Sequence, residues 1–549
     1  MPSTTTDHPT ATITLDATPS STIDRRIYGH FLESAFFGNI EGGVFDEGSP
    51  HAIAESGPLQ GCRADVIEAC RELGLPVVRW PGGNFTSPYR WQDGTGPRDA
   101  RPRTLELAWG SEESNRFGTP EFLAWCREVG TEPYLAHSAR SVDDAVRWVE
   151  YTNYGGDTTL TRRRAADGLH DPQDVRIWGI GNEVYGPWQM GHRPVEQYTH
   201  AAREHARFMR AVDPSLQLVA VGDEHREWTR EVVAELGHQV DSVSLHLYGA
   251  SRHLVDPSVA EYEAVVAQAR YVEQAICDQS ELIAATRPRH GERRPIGIAM
   301  DEWNIRHMEP GAWPEPQPGA DGGFADREQP ELEGAADADG RALRRVNRYS
   351  SRTLADALFY AGVFHAMHRA SALEVPVTMA NTVNLVNANG LLAVRPEGVV
   401  KTATFHVWDL YQNHTGPVHV PVRVDGPSWT QAVRQGDDRR ADGSFRTTPA
   451  VVGHLDASAS FSADGSTAYL AVINRSATSD VRARIAVPGG LPAQVTARTV
   501  GVGEADLFAV NTLEAPGRVS LTGPTAVGLD EGCHTFPAHS ITVLSWTRT

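Results

Sequence analysis

Eight short apolar runs punctuate the chain up to about residue 410, at 27–31, 77–80, 133–136, 175–180, 216–221, 240–246, 296–300 and 375–379. Between them, at 65–73, 120–129, 141–151, 195–211 and 260–285, apolar residues recur at three and four, the period of an amphipathic helix. A strand buried on both faces needs helices to cover it, so this alternation predicts an α/β fold, a closed (β/α)8 TIM barrel over 23–410. An open doubly wound sheet would alternate in the same way. It would also need a glycine-rich phosphate loop after an early strand. Arg79-Trp80-Pro81-Gly82-Gly83-Asn84 lacks that spacing, and Pro81 removes an amide donor.

From about residue 415 the pattern changes to short alternating runs separated by turn residues, at 418–424, 468–473, 481–487, 494–500 and 540–546. That is the signature of an antiparallel β-sandwich, expected over 411–549. A similar run, Ala11-Thr12-Ile13-Thr14-Leu15, precedes the barrel, and residues 1–22 are expected to pair with the sandwich. Residues 309–340 contain nine acidic residues, one Arg, five Pro and six Gly, a composition that cannot close a core. They read as a mobile surface insertion after the seventh strand.

With 50 Lys and Arg against 70 Asp and Glu, the net charge is -20, which repels nucleic-acid phosphates and anionic lipid. No apolar run approaches the roughly 20 residues that span a bilayer, and the first residues carry no cationic stretch followed by an apolar core. Neither nucleic acid nor membrane is expected as a partner, and the expected compartment is the cytoplasm. Five scattered cysteines, an odd number, suit reduced thiols rather than a disulfide framework or a zinc cluster.

Polar residues gather where the strands end, and in such a barrel those ends share one face. The first run leads into Gly29-His30-Phe31-Leu32-Glu33, the second into Arg79-Trp80-Pro81-Gly82-Gly83-Asn84, and the fourth into Asn182-Glu183. The sixth leads into His246-Leu247-Tyr248 and the seventh into Asp301-Glu302-Trp303. Hydrolysis of an acetal needs a proton for the departing oxygen and negative charge against an oxocarbenium-like centre. Two carboxyls in different environments supply both. Glu183 is the candidate acid/base and Glu302 the candidate nucleophile, with no cofactor called for. Asn182 would hydrogen-bond a ring hydroxyl, Tyr248 would donate to Glu302, and Arg79 would hold positive potential beneath it. Trp80, Trp178 and Trp303 are candidate sugar-stacking walls. His246, with His30 and His137, falls near the cleft. No His-Glu-x-x-His or close His pair is present, so hydrogen bonding is expected there rather than metal ligation. No Gly-x-Ser-x-Gly elbow supports a serine hydrolase.

Six segments occur in order along the barrel: Ile27-Tyr28-Gly29-His30-Phe31-Leu32-Glu33, Arg79-Trp80-Pro81-Gly82-Gly83-Asn84-Phe85, Asn115-Arg116-Phe117-Gly118-Thr119, Gly179-Ile180-Gly181-Asn182-Glu183, Ser244-Leu245-His246-Leu247-Tyr248 and Asp301-Glu302-Trp303-Asn304. Together they resemble the retaining α-L-arabinofuranosidases of glycoside hydrolase family 51. The resemblance implies Glu183 as acid/base, Glu302 as nucleophile, and Glu33, Asn84, Asn182 and Tyr248 as contacts to the innermost sugar. It also implies a C-terminal β-sandwich, a furanose-containing oligosaccharide or glycoside as substrate, and a homo-oligomer, often a hexamer.

Three positions depart from the family pattern. Ala136-His137-Ser138-Ala139-Arg140-Ser141 follows the third strand, and Ile305-Arg306-His307 follows Asn304, where aromatic character is more usual. Asn381 stands where the family's sugar-binding Gln is expected, and the shorter amide would free about one methylene of space at the pocket wall. On that ground a β-D-galactofuranosidase is an alternative to an α-L-arabinofuranosidase, and a D-arabinofuranosidase on the same scaffold is another. A barrel that binds carbohydrate without catalysis is the non-enzymatic alternative.

Overall fold

The computed structural model of the chain describes residues 10–16, 18–34, 38–309, 345–347, 349–439, 445–501 and 506–548. The insertion expected at 309–340 lies outside them, apart from the backbone of its first residue.

Eight parallel strands close into a barrel: Gly29–Phe31, Val77–Trp80, Glu132–His137, Ile177–Ile180, Gln217–Ala220, Ser242–Ser251, Gly297–Glu309 and Val377–Thr382. Each pairs with its successor, and the ring closes where Asn381 of the eighth strand meets Gly29 of the first. All eight apolar runs of the sequence coincide with these strands. Side chains fill the interior: Val77, Tyr134, Ile177, Val219, Ala299 and Met379, one from each of six strands, form a buried cluster of their own.

Two strands outrun the sequence pattern. The sixth continues to Ser251 and the seventh to Glu309, and they stay paired from His246↔Glu302 to Ser251↔His307 after an irregularity between Ser244 and His246. A bulge increases twist and re-aims side chains, and this one immediately precedes the polar residues of the cleft.

The helix Leu354–Ala370 is buried on nearly every face, so its apolar residues form no stripe. Thr353 and Asp356 close a capping box at its start. At its far end His368 links the two regions of the chain, meeting Tyr28 of the barrel at 2.7 Å and Ser458 of the C-terminal region at 2.8 Å.

The C-terminal region packs a seven-stranded sheet and a four-stranded sheet around a second core that includes Ile13, Leu470, Val472, Phe536 and Leu544. The first strand of the chain, Ala11–Leu15, lies in the four-stranded sheet, antiparallel to Val422–Asp425 and parallel to Val481–Ala486. One parallel pair thus enters sheets that are otherwise antiparallel. The run expected as a single strand at 418–424 is split. Pro421, with no N–H for a ladder, separates Val418–Val420 in the larger sheet from Val422–Asp425 in the smaller. Among the described residues no helix is long and apolar enough to cross a membrane.

Candidate active site

The fourth strand leaves Ile180 through Gly181 (φ 95°) into Asn182 and Glu183. Glu183 has φ 40°, a left-handed conformation that costs a residue with a Cβ about 1–3 kcal/mol and persists only where surrounding contacts over-determine it. Those contacts are present. Glu183 Oε1 lies 2.8 Å from His246 Nδ1 and accepts from Tyr185 at 3.3 Å, while Oε2 accepts from the Trp188 indole at 3.1 Å. On the seventh strand, Glu302 accepts from Tyr248 at Oε2 (2.7 Å) and from Arg79 at Oε1 (2.8 Å). A carboxylate oxygen of Glu183 and one of Glu302 lie within 4.8 Å of each other.

His246 sits between the two. Its Nδ1 is 3.6 Å from Glu302, and its Nε2 is 3.2 Å from Asp301. Burial disfavours a charged imidazole, yet Glu302, Asp301 and Glu183 outweigh burial and push its pKa up to about 10. At neutral pH it is an imidazolium. Burial likewise opposes charge on Glu183, but the hydrogen bond and charge of His246, then Trp188 and Arg306, bring its carboxyl below the usual range. Asp301 follows the same pattern, with Arg79, His246 and the Tyr134 hydroxyl, at 2.7 Å, overcoming burial. Glu183, His246 and Glu302 are the trio among the described residues whose donors are close enough to hold a metal ion. Both ring nitrogens of His246 already face carboxylates, and an imidazolium has no lone pair to give.

Arg79, fully buried, stays protonated against burial because Asp301 and Glu302 surround it. It also donates to Asn182 Oδ1 at 2.6 Å. Asn182 Nδ2 is buried and has no protein acceptor among the described residues, the kind of orphan that a substrate hydroxyl satisfies. On the other side, Glu33 Oε1 accepts from the backbone N–H groups of Gly83 and Phe85, each at 3.1 Å, and from the Trp109 indole at 3.2 Å. Glycine is required in this loop. A Cβ on Gly82 would lie 2.5 Å from Glu33, and one on Gly83 would lie 2.8 Å from Glu302 Oε1. Asn84 opens the short turn Asn84–Thr86 beside them and is half-buried.

Residues 69–267 match the model of the α-L-arabinofuranosidase 1 domain, and residues 301–540 match that of the α-L-arabinofuranosidase C-terminal domain. Across its length the chain is 33% identical to α-L-arabinofuranosidase C of Emericella nidulans, covering 96% of this chain and 95% of that one. The chain belongs to the α-L-arabinofuranosidases of glycoside hydrolase family 51. It is also 33% identical to an intracellular exo-α-(1→5)-L-arabinofuranosidase of Streptomyces lividans, over 93% of this chain and 71% of that one. Among solved structures, the arabinose complex of the Thermotoga maritima α-L-arabinofuranosidase superposes with a TM-score of 0.81 at 31% identity, covering 98% and 100% of the two chains.

Two expectations for this family 51 chain require correction. Trp303 is not a sugar-stacking wall: it is 1% exposed, stacks on Trp408 at 5.8 Å and meets Tyr360 and Phe364 edge-on. Trp80 and Trp178 are equally buried, because strand residues of alternating direction pack outward against the helices. Asn381 offers no open pocket wall either, although it lies on the same side of its strand as the interior-facing Met379. It is fully buried within the eighth strand and donates to the carbonyl of His30 at 2.8 Å.

Several site residues were not among the sequence candidates. Trp188, 45% exposed while bonded to Glu183, presents the open aromatic face that Trp303 lacks. Trp109 reaches Glu33 from the loop joining the short paired strands Thr104–Leu105 and Glu112–Glu113, outside the barrel strands, which no local pattern announces. Asp301 holds His246 and was visible in the sequence only as the neighbour of Glu302.

Proposed function

We propose that the chain is an exo-acting, retaining α-L-arabinofuranosidase, with Glu183 as acid/base and Glu302 as nucleophile. One observation carries the reading: the two carboxylates, from the ends of the fourth and seventh strands, face each other with oxygens within 4.8 Å. Retaining glycosidases hold the pair at about 5–5.5 Å, whereas inverting ones leave about 6.5–9.5 Å for a water. The S. lividans relative, described as exo-acting, supports attack at a chain end.

In this reading Glu302, oriented by Tyr248 and Arg79, attacks the anomeric carbon of a terminal arabinofuranoside. The C–O bond to the aglycone breaks as that oxygen takes a proton from Glu183. The proton is at hand on His246, 2.8 Å away, and an ion pair that collapses when substrate excludes water leaves Glu183 protonated. Water, deprotonated by Glu183, then attacks the glycosyl ester and restores Glu302 with net retention. Asn182, with its free amide donor, and Glu33 would bind sugar hydroxyls, and Trp188 would flank the aglycone beside the acid/base.

A panel of aryl furanosides tests the substrate, and NMR of the first-formed anomer tests the stereochemistry. Rapid turnover of the α-L-arabinofuranoside with retained configuration supports the reading; inversion, or preference for another furanose, removes it. The galactofuranoside alternative rested on open space at Asn381, and that residue has no exposed surface and is held by the His30 carbonyl. The reading also includes a homo-oligomer, for which sedimentation is the test. It includes action inside the cell, as for the S. lividans relative.

A further inference from the structure

The C-terminal region sends one hairpin back to the barrel. Its strands, Ser428–Arg439 and Phe445–Gly453, pair with each other and join neither sheet of the sandwich. Val433 and Val452 are buried against Ala267 of the barrel helix Val259–Ala267. Arg434, 8% exposed, donates to the backbone carbonyl of Ala250 at 2.8 Å. It also grips Glu261 of that helix through both ends of its guanidinium, at 2.8 and 2.5 Å. Glu261 in turn accepts from the backbone N–H of Arg252. Gly436, two residues beyond Arg434, is buried with φ 61°. A Cβ there would lie 3.0 Å from the carbonyl oxygen of Tyr248 and 3.3 Å from the Tyr271 hydroxyl.

Tyr248 and Ala250 belong to the part of the sixth strand that runs past the barrel, with Arg252 just after it. Among the described residues, the fifth strand pairs with the sixth only at Ser242 and Val243. Beyond that point the sixth strand has a ladder on one flank only, with the seventh strand. The hairpin occupies the other. It meets the backbone at Tyr248 and Ala250, and through Glu261 of the helix it is linked to the backbone of Arg252, while the guanidinium of Arg306 lies 4.1 Å over the Tyr248 ring.

We infer that Arg434 is a positioning residue for the hydrolytic reaction: from the C-terminal hairpin it fixes the strand extension carrying Tyr248, and through Tyr248 the orientation of the Glu302 carboxylate. The inference rests on the reading of Glu302 as nucleophile and Tyr248 as its hydrogen-bond donor. A strand held on one flank by a ladder can still slide and twist on the other. A displacement of about 1 Å at a reacting group costs on the order of 100-fold in rate. The C-terminal region therefore contributes to catalysis without touching substrate.

The test is a double-mutant cycle on the full chain. Arg434→Met removes the clamp. Arg434→Met with Glu261→Gln removes it without leaving a buried carboxylate unpaired, and serves if the first variant folds poorly. Each is made with Tyr248 intact and with Tyr248→Phe, and kcat/KM on an aryl α-L-arabinofuranoside is measured below the Tm of every variant. The clamp variants should lose about 10-fold with Tyr248 present and less than about 2-fold in the Tyr248→Phe background, because the two residues act through one hydrogen bond. Equal losses in both backgrounds, or none with Tyr248 present, overturn the inference while leaving the role of Tyr248 standing. A fully active Tyr248→Phe enzyme overturns that role, and the inference with it.

Discussion

Replacing His246 by Asn isolates the group that sets the charge of this site. In the native chain His246 holds its proton up to about pH 10, and that proton faces Glu183 at 2.8 Å. The pair thus keeps one transferable proton deep into the alkaline range, although Glu183 alone titrates below its ordinary 4.5. Two unit charges about 4 Å apart interact by about 4 kcal/mol at an effective dielectric near 20. Loss of the imidazolium removes that attraction and raises the Glu183 carboxyl. A carboxyl alone does not hold its proton to about pH 10, where the pair releases it. The alkaline limb of kcat/KM should therefore move from about pH 10 to lower pH in His246→Asn. The assay uses phenyl α-L-arabinofuranoside, whose departure needs a proton, with the dinitrophenyl analogue as a control whose glycosylation step needs none. An unchanged limb for the phenyl substrate, or one displaced upward, would refute His246 as the holder of the proton. Stability follows the same shift. The folded-state pKa lies above the ordinary 6.5, so the contribution of His246 is complete below about pH 6.5 and disappears as pH rises through about 10. The native chain should lose Tm across that window more steeply than His246→Asn.

Glu302→Ala should abolish turnover of every substrate, since no glycosyl ester can form, whereas Glu183→Ala should keep most activity on acidic leaving groups and gain rate with azide; equal losses on activated and unactivated substrates would remove Glu183 from its role. Trp303→Ala should cost about 3–5 kcal/mol of stability, read by denaturant unfolding, because the ring lies in the aromatic core with Tyr360, Phe364 and Trp408. Asn381→Gln should overpack a fully buried position, costing about 1–3 kcal/mol in the same measurement, and leave the ratio of kcat/KM for galactofuranoside and arabinofuranoside unchanged. Arg79→Met removes the guanidinium facing buried Asp301 and Glu302 and leaves them only the His246 imidazolium, so it should cost about 3–5 kcal/mol of stability at neutral pH, read by denaturant unfolding.

The sequence by itself determined the barrel, because a parallel strand buried on both faces must be a continuous apolar run and eight such runs could be counted. It also pointed to the end of the barrel where polar side chains gather, since the chain direction of a parallel barrel carries the segments holding Glu33, Arg79, Asn182, Glu183, His246, Tyr248 and Glu302 to one face. Where local pattern carried little apolar signal it was silent. The strand Leu455–Phe461 alternates with Ala and Ser, and the hairpin strand Ser428–Arg439 with Thr, Gln and Arg, so neither showed the hydrophobic contrast that marks a strand. Trp303 and Asn381 looked like site residues because they adjoin the strand ends. Successive residues of a strand point to opposite sides, which turns Trp303 outward beside inward Glu302; Asn381 shares the inward side with Met379, and only the packed barrel decides that it has no exposed surface. Trp188 folds back onto Glu183 from only five residues on, but Trp109 and Arg434 reach the site or its supports across long stretches of chain, from a loop and from a second region. Nothing in a local window encodes such contacts. They, and the distance that separates retention from inversion, exist only once the tertiary fold has brought the segments together.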